Sequence, residues 1–116
     1  GGAWSPALSR DEAADAVLPS TNEVEQLIDS SRGRVQRCFE RVLKRDPTLA
    51  GTMMLQLKVG PAGQVLHTGF VHDTLKEPQV NDCLRKEAST WIFPKARNTS
   101  LQVGPYAFHG PRPAAH

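Results

Sequence analysis

The amino-acid sequence predicts a small α+β domain in which two helices cover one face of a three-stranded antiparallel sheet. Apolar residues recur every three or four positions in residues 20–46, apolar and polar residues alternate in residues 52–59, and turn signals separate the later segments. At 116 residues and 39% hydrophobic composition, the chain has room for one hydrophobic core. The order helix, strand, strand, helix, strand therefore indicates a two-layer sandwich.

The first 19 residues lack a strong apolar pattern and are predicted to form a linker. Ser9 followed by Glu12 resembles a capping box for a short helix, which Pro19 would stop. The opening Gly1-Gly2 pair resembles a cleavage or cloning scar, so we expect this chain to be a piece of a longer protein. We predict the folded domain over residues 20–109 and a disordered tail over residues 110–116.

The first helix has signals at both ends. Ser20 or Thr21 caps its beginning, with Glu23 in the first turn, where an acid complements the helix dipole. The Asp46-Pro47 pair ends it. Its apolar stripe consists of Val24, Leu27, Ile28, Ser31, Val35, Cys38, Phe39 and Val42.

A hairpin and a second helix follow. Residues 52–59 alternate as a half-buried strand, the sequence GPAG at residues 60–63 forms a tight turn, and residues 64–71 return as the second strand. Pro78 suits the first turn of the second helix, which is predicted to extend past Trp91 and to close at Phe93-Pro94. Its predicted inner face comprises Val80, Cys83, Leu84, Glu87 or Ala88, and Trp91.

The last predicted strand, residues 101–108, is expected to lie at the edge of the sheet. A crossover through the second helix makes it parallel to the second strand, so it fits beside the first strand, antiparallel to it, in the spatial order 2-1-3. Pro105 has no N–H to give to a strand ladder, and proline within a sheet is confined to edges and bulges. One side of the last strand is therefore predicted to be free.

Composition and motifs argue against catalysis. The sequence contains no G-x-S-x-G motif, no glycine-rich phosphate loop and no convergent histidine set, since His67 and His72 are five residues apart on a strand, while His109 and His116 lie near the end of the chain. We expect no enzyme activity, no metal and no cofactor.

Residues 1–30 carry a net charge of −5 and residues 31–116 a net charge of +7. The cationic part could favour an acidic partner, although an ordinary solvated surface is the preferred interpretation.

The two cysteines, Cys38 and Cys83, lie in the two predicted helices and lack the C-x-x-C spacing of zinc or redox sites. Two reduced buried thiols fit a cytosolic protein, and one structural disulfide fits an exported protein. The residues alone leave both possibilities open.

Three stretches resemble one protein family. They are VQRCFERVLKRDPTLAG at residues 35–51, VNDCLRKEASTWIFP at residues 80–94 and VGPYAF at residues 103–108. Together with the GPAG turn they are similar to the AgmX/PglI C-terminal family of TonB-like domains, found in gliding-motility and cell-envelope proteins. The sequence differs from the family pattern at Gly104, where an aromatic residue usually precedes the proline.

The resemblance implies a function and a location. It implies a non-catalytic periplasmic domain of a protein that is anchored in the inner membrane and takes part in energy transduction or gliding motility. It also implies a disulfide between Cys38 and Cys83, and docking of an outer-membrane or periplasmic partner by strand addition. The predicted docking residues lie on the last strand: Leu101, Gln102, Val103, Pro105 and Tyr106.

A small nucleic-acid-binding module is the rival interpretation. It would use a basic face on the first helix formed by Arg34, Arg37, Arg41, Lys44 and Arg45. Single-stranded nucleic acids need aromatic side chains on which bases can stack, and the exposed positions Thr52, Gln56 and Lys58 supply none. A solvated helix face is therefore favoured over a nucleic-acid site.

Overall fold

A computed structural model of the protein describes residues 15–111 and contains two helices and three strands. In chain order they are α1 (Thr21–Leu43), β1 (Ala50–Val59), β2 (Val65–Val71), α2 (Pro78–Ala88) and β3 (Thr99–His109). Both helices pack on the same face of the sheet, with α1 against α2 and β3, and α2 against β2. The predicted two-layer α+β architecture is confirmed. The capping box at Ser9 and the predicted disordered tail from residue 112 onward lie outside the described residues.

The helix α1 begins where its cap predicts. The Ser20 side chain accepts a hydrogen bond from the Glu23 backbone N–H at 3.1 Å, which satisfies one of the donors that a helix leaves unpaired at its start. The C-terminal half of the apolar stripe is buried, and the first turns of the stripe, which hold Val24, are only partly buried. Packing of one continuous stripe on the sheet explains why a helix of 23 residues tolerates Gly33 in its interior.

The sheet has the predicted order β2-β1-β3, with both pairings antiparallel. Alternate residues of β1, from Met53 to Val59, face the helices and are at most 1% exposed. The register between β1 and β3 shifts once, because two residues of β3 oppose the single residue Met54 of β1. This bulge advances the side-chain phase by one residue, so Tyr106 and Phe108, rather than Pro105 and Ala107, face the helices.

The predicted end of the second helix is wrong. The helix α2 stops at Ala88, before Trp91, and the Trp91 backbone N–H bonds to the Ala88 carbonyl in a turn. Trp91 is nevertheless buried, and its indole N–H donates to a carboxylate oxygen of Glu87 at 2.9 Å. The loop after Trp91 lies against the hairpin turn, where the Phe93 N–H donates to the Gly63 carbonyl. Trp91 stands at helical spacing from the inner face of α2, but it belongs to the loop that follows the helix.

A disulfide joins the two helices. Cys38 of α1 and Cys83 of α2 are bonded, and their Cα atoms lie 5.5 Å apart. Of the alternatives left open by the sequence, the structure thus contains the bridge that the family resemblance implies. It closes a loop of 45 residues that includes β1, β2 and the first half of α2. Within residues 15–111, neither helix has the length and apolarity required to span a membrane.

Candidate functional site

The candidate site is the outer side of β3, the side that faces away from β1. In the order β2-β1-β3, the strand β3 pairs with β1 along one side only. Within the described range, the single pairing on its other side joins Val17 to Arg97, two residues before the strand begins. From Thr99 to His109 this outer edge has no strand beside it in the part of the chain that the structure describes.

The direction of each peptide group on β3 follows from the hydrogen bonds of β1. Thr52 accepts from the backbone N–H of Thr74, beyond the end of β2, and donates its own N–H to the Thr74 hydroxyl, so the even-numbered residues of β1 point toward β2. The odd-numbered residues therefore point toward β3, in agreement with the bond from the Gly110 N–H to the Leu49 carbonyl.

The residues of β3 that are in register with odd-numbered residues of β1 are Thr99, Leu101 and Val103, so their N–H and C=O groups bond to β1. The same groups of Ser100 and Gln102 point outward. The alternation does not extend to the residues before the strand, because Asn98 has a positive φ of 50°.

Pro105 interrupts the outer edge of β3. Gly104 precedes it through a cis peptide bond and has a φ of 130°, a backbone region that L side chains rarely adopt. Pro105 points outward and is exposed, but it has no N–H to donate. Beyond it, Gly110 donates inward to the Leu49 carbonyl, so the alternation resumes with Ala107 pointing outward. Complete outward donors and acceptors are therefore found at Ser100 and Gln102 before Pro105 and at Ala107 and His109 after it.

The five predicted docking residues differ in what they expose. Val103 and Tyr106 are 1% and 8% exposed and pack beneath the helices. Leu101 is half-buried on the same face, and Gln102 is exposed on the opposite face of the sheet. Of these five residues, Gln102 directs its N–H and C=O outward, and an added strand would therefore bond to the backbone of Gln102 and of the neighbouring Ser100, since the backbone of Leu101 and Val103 bonds to β1. The prediction that Tyr106 contacts a partner is wrong for its side chain, because the bulge turns it into the core.

Tyr106 is an unusual core residue, because its buried hydroxyl has no hydrogen-bond partner among the described residues. The nearby Ser31 hydroxyl donates instead to the Leu27 carbonyl of its own helix at 2.7 Å. Burial, only partly offset by Ser31 and Arg32, raises the pKa of Tyr106 to about 12. The phenol is therefore neutral and contributes to packing, with its ring centroid 6.4 Å from that of Phe108.

Sequence reasoning missed the clasp formed by Asp15 and Val17 at the beginning of the edge. Besides the Val17–Arg97 bridge, the Asp15 carboxylate accepts from the guanidinium of Arg97 at 3.2 Å and from the side-chain amide of Asn98 at 3.1 Å. These contacts join residues more than 80 positions apart. The described end of the predicted linker is thus a turn and a β-bridge that contact the domain.

The five residues of the predicted basic face are exposed, but only Arg34, Arg37 and Arg41 belong to α1, since the helix ends at Leu43, before Lys44 and Arg45. Two of the five are engaged in ion pairs with the α2 region. Arg34 bonds to Glu87 at 2.7 Å, and Arg45 bonds to Glu77 at 3.0 Å. For Arg37, Arg41 and Lys44, the structure gives no ion pair within residues 15–111. The predicted basic face is therefore partly neutralised by acids of the neighbouring helix, which the sequence could not reveal.

The open face of the sheet offers no platform for stacked bases. It carries Met54, Gln56 and Lys58 from β1, together with Gln102 from β3. No Phe, Tyr or Trp of the described strands points to this side, since Phe70 pairs in register with the buried Leu55. Among the described residues no group of three or more His, Cys, Asp or Glu side chains is arranged to hold a metal ion.

Comparison with family models, with curated proteins and with solved structures found no match to this chain.

Proposed function

We propose that this domain binds a protein partner by accepting an extended segment of that partner as an additional strand beside β3. The observation that carries the proposal is the outer edge of β3, where Ser100 and Gln102 direct backbone donors and acceptors away from the sheet, with no strand beside them among the described residues. A sheet edge of this kind is what β-augmentation requires, because main-chain hydrogen bonds provide the affinity.

The family resemblance supports a setting for this activity. A TonB-like domain at the end of an envelope-spanning protein would meet outer-membrane or periplasmic partners in the periplasm. The Cys38–Cys83 disulfide agrees with an oxidising compartment of that kind. We propose that the partner is a protein or peptide of the cell envelope, and that the parent protein transmits force or energy to it.

The edge also sets the strength of the interaction. Two residues, Ser100 and Gln102, each with one outward N–H and one outward C=O, allow up to four new hydrogen bonds before Pro105 ends the run. At roughly 1 kcal/mol net for each bond, the backbone contributes about 4 kcal/mol, and the entropy lost on association offsets part of this gain. We therefore expect a transient complex in which side chains of the partner add selectivity.

The test uses peptides selected from a displayed library of extended sequences against the immobilised oxidised domain. Titration of the selected peptides should shift the backbone amide signals of Ser100 and Gln102 in NMR spectra and should slow the hydrogen exchange of those amides. Binding that shifts signals elsewhere and leaves these two amides unchanged would place the docking site on another surface.

Proline substitution supplies a matched pair of variants. Gln102→Pro removes an outward N–H at an exposed position and leaves the β1–β3 ladder intact, so the domain should fold and lose most of its affinity for the peptide. Leu101→Pro removes an inward N–H and should instead destabilise the sheet. If Gln102→Pro folds and binds the peptide as tightly as the wild-type domain, the strand-addition proposal is wrong.

A further inference from the structure

A groove of about 550 Å³ runs between α1 and α2 on the outside of the helix layer, away from the sheet and from the β3 edge. Cys38 and Cys83 both line it, so their disulfide fixes the two walls relative to each other. The size lies within the range of binding clefts, and the cross-link removes part of the ordering cost that a flexible groove would have on binding. The groove is therefore a preformed feature of the oxidised domain.

The charges of the groove are unequal and only partly compensated. Its lining includes four cations, Arg34, Arg37, Arg41 and Lys86, but only two carboxylates, Asp82 and Glu87.

Both carboxylates of the groove are already engaged. One oxygen of Glu87 accepts from Arg34 at 2.7 Å and from the Trp91 indole at 2.9 Å, and Asp82 pairs with Arg85 at 2.8 Å. A carboxylate that is paired in this way attenuates the field of the neighbouring cations less than a free one would. The groove therefore keeps an excess of positive charge.

Three cations of the groove lack an acidic partner in the described part of the chain. Arg37 donates only to the Gly33 carbonyl of its own helix at 3.3 Å, and Arg41 lies 3.9 Å from the sulfur of Cys83. Lys86 forms no ion pair with a described residue. An anionic ligand would thus gain attractive contacts here without first breaking an ion pair of the protein.

We propose that this groove binds an extended acidic peptide segment of a partner protein, with Arg37, Arg41 and Lys86 contacting its carboxylates. Arg37 and Arg41 are four positions apart, which places them about 6 Å apart along α1. In an extended peptide, alternate side chains on one face are spaced by about 6.6 Å. Acidic side chains at every second position therefore match the two arginines, and Lys86 on the opposite wall can contact a third carboxylate.

A peptide fits the lining better than a nucleic acid does. The groove mixes donors with acceptors, since the side chains of Gln79, Asp82 and Glu87 stand among the cations, and a peptide backbone carries both N–H and C=O groups. Phosphodiester groups are acceptors only, and the lining contains no Phe, Tyr or Trp on which a base could stack. This assignment is independent of the β3 edge, because it uses the opposite layer of the domain.

The test measures binding of an alternating glutamate–serine hexapeptide at two salt concentrations, with the alternating glutamine–serine peptide and an oligouridine as comparison ligands. We expect the glutamate peptide to shift the NMR signals of Arg37, Arg41 and Lys86, to bind more weakly at high salt, and to bind more tightly than either comparison ligand. Tighter binding of the oligouridine at the same residues would replace the acidic peptide by a nucleic acid and overturn the proposal.

Two charge-matched double variants separate a specific site from general attraction. Arg37→Gln combined with Arg41→Gln should weaken binding about tenfold, since loss of each exposed ion pair reduces affinity roughly threefold. Arg32→Gln combined with Lys58→Gln removes the same charge outside the groove and should change the affinity less than about twofold. Equal losses in both double variants would refute the assignment, as would a glutamate peptide that causes no shift.

Lys86→Gln, on the other wall, should weaken binding about threefold. The Gln102→Pro variant should bind the peptide normally, so failure of this proposal is distinguishable from failure of strand addition.

Discussion

Reduction of the Cys38–Cys83 disulfide should convert a stable domain into a marginal one. The bridge closes a loop of 45 residues, for which the chain-entropy relation gives about 4 kcal/mol of stabilisation through restriction of the unfolded chain. Domains of this size have total stabilities of about 5–10 kcal/mol. With a urea dependence of about 1.3 kcal/mol per M, a loss of 4 kcal/mol lowers the unfolding midpoint by about 3 M.

The measurement is urea unfolding of the wild-type domain, followed by circular dichroism with and without a thiol reductant. A double variant, Cys38→Ala with Cys83→Ala, serves as the control: its midpoint should lie near that of the reduced protein and should not respond to the reductant. A wild-type midpoint that falls by less than about 0.5 M on reduction would show that the loop-closure reasoning does not apply here. The native helix packing would then have to hold the two halves of the loop together without the bridge.

Three further predictions concern single residues. Tyr106→Phe should leave stability at pH 7 unchanged or slightly raised, because it removes a buried hydroxyl without a partner. Burial raises the pKa of Tyr106 from 10.0 to about 12, so this group should leave the wild-type unfolding free energy unaffected below pH 10. Between pH 10 and 12 the unfolding free energy should fall by about 1.4 kcal/mol per pH unit. Urea unfolding at each pH should show a smaller slope in Tyr106→Phe. Gly33→Ala should raise the unfolding free energy by about 0.5–1 kcal/mol, because a Cβ at this exposed helical position meets no atom within 4 Å, and an unchanged or lowered thermal midpoint would contradict that reasoning. Gly104→Ala should lower the unfolding free energy by about 1–3 kcal/mol, because alanine is strained at a φ of 130°, and a midpoint within error of wild type would contradict the geometry of the bulge.

The sequence was sufficient to predict the elements that depend on local pattern. The apolar stripe of α1 and the alternation of β1 both reflect one buried face. Because the connection from β2 to β3 passes through a helix, β3 fits beside β1, which gives the strand order 2-1-3. Boundaries were less predictable. The strand β3 begins at Thr99, ahead of the predicted Leu101, because the backbone of the preceding segment already bonds to the hairpin turn at Gly60. Such bonds leave no trace in side-chain periodicity.

The candidate site was predictable in its position and not in its details. Pro105 indicates an edge or a bulge, and the structure contains both, since the strand lies at the edge and the bulge moves Tyr106 into the core. The clasp of Asp15 on Arg97 and the pairing of Arg34 with Glu87 involve residues distant in sequence, and a single sequence gives no sign of which charges meet. The interhelical groove was hidden for the same reason.

Amide hydrogen exchange of the free, oxidised domain tests most directly whether the outer edge of β3 is available to a partner. If it is, the amides of Ser100 and Gln102 should exchange quickly, while the inward amides of Leu101 and Val103 should be protected by the ladder with β1. Equal protection of all four amides would mean that this edge is already paired in the free protein, and it would contradict strand addition as the function of the domain.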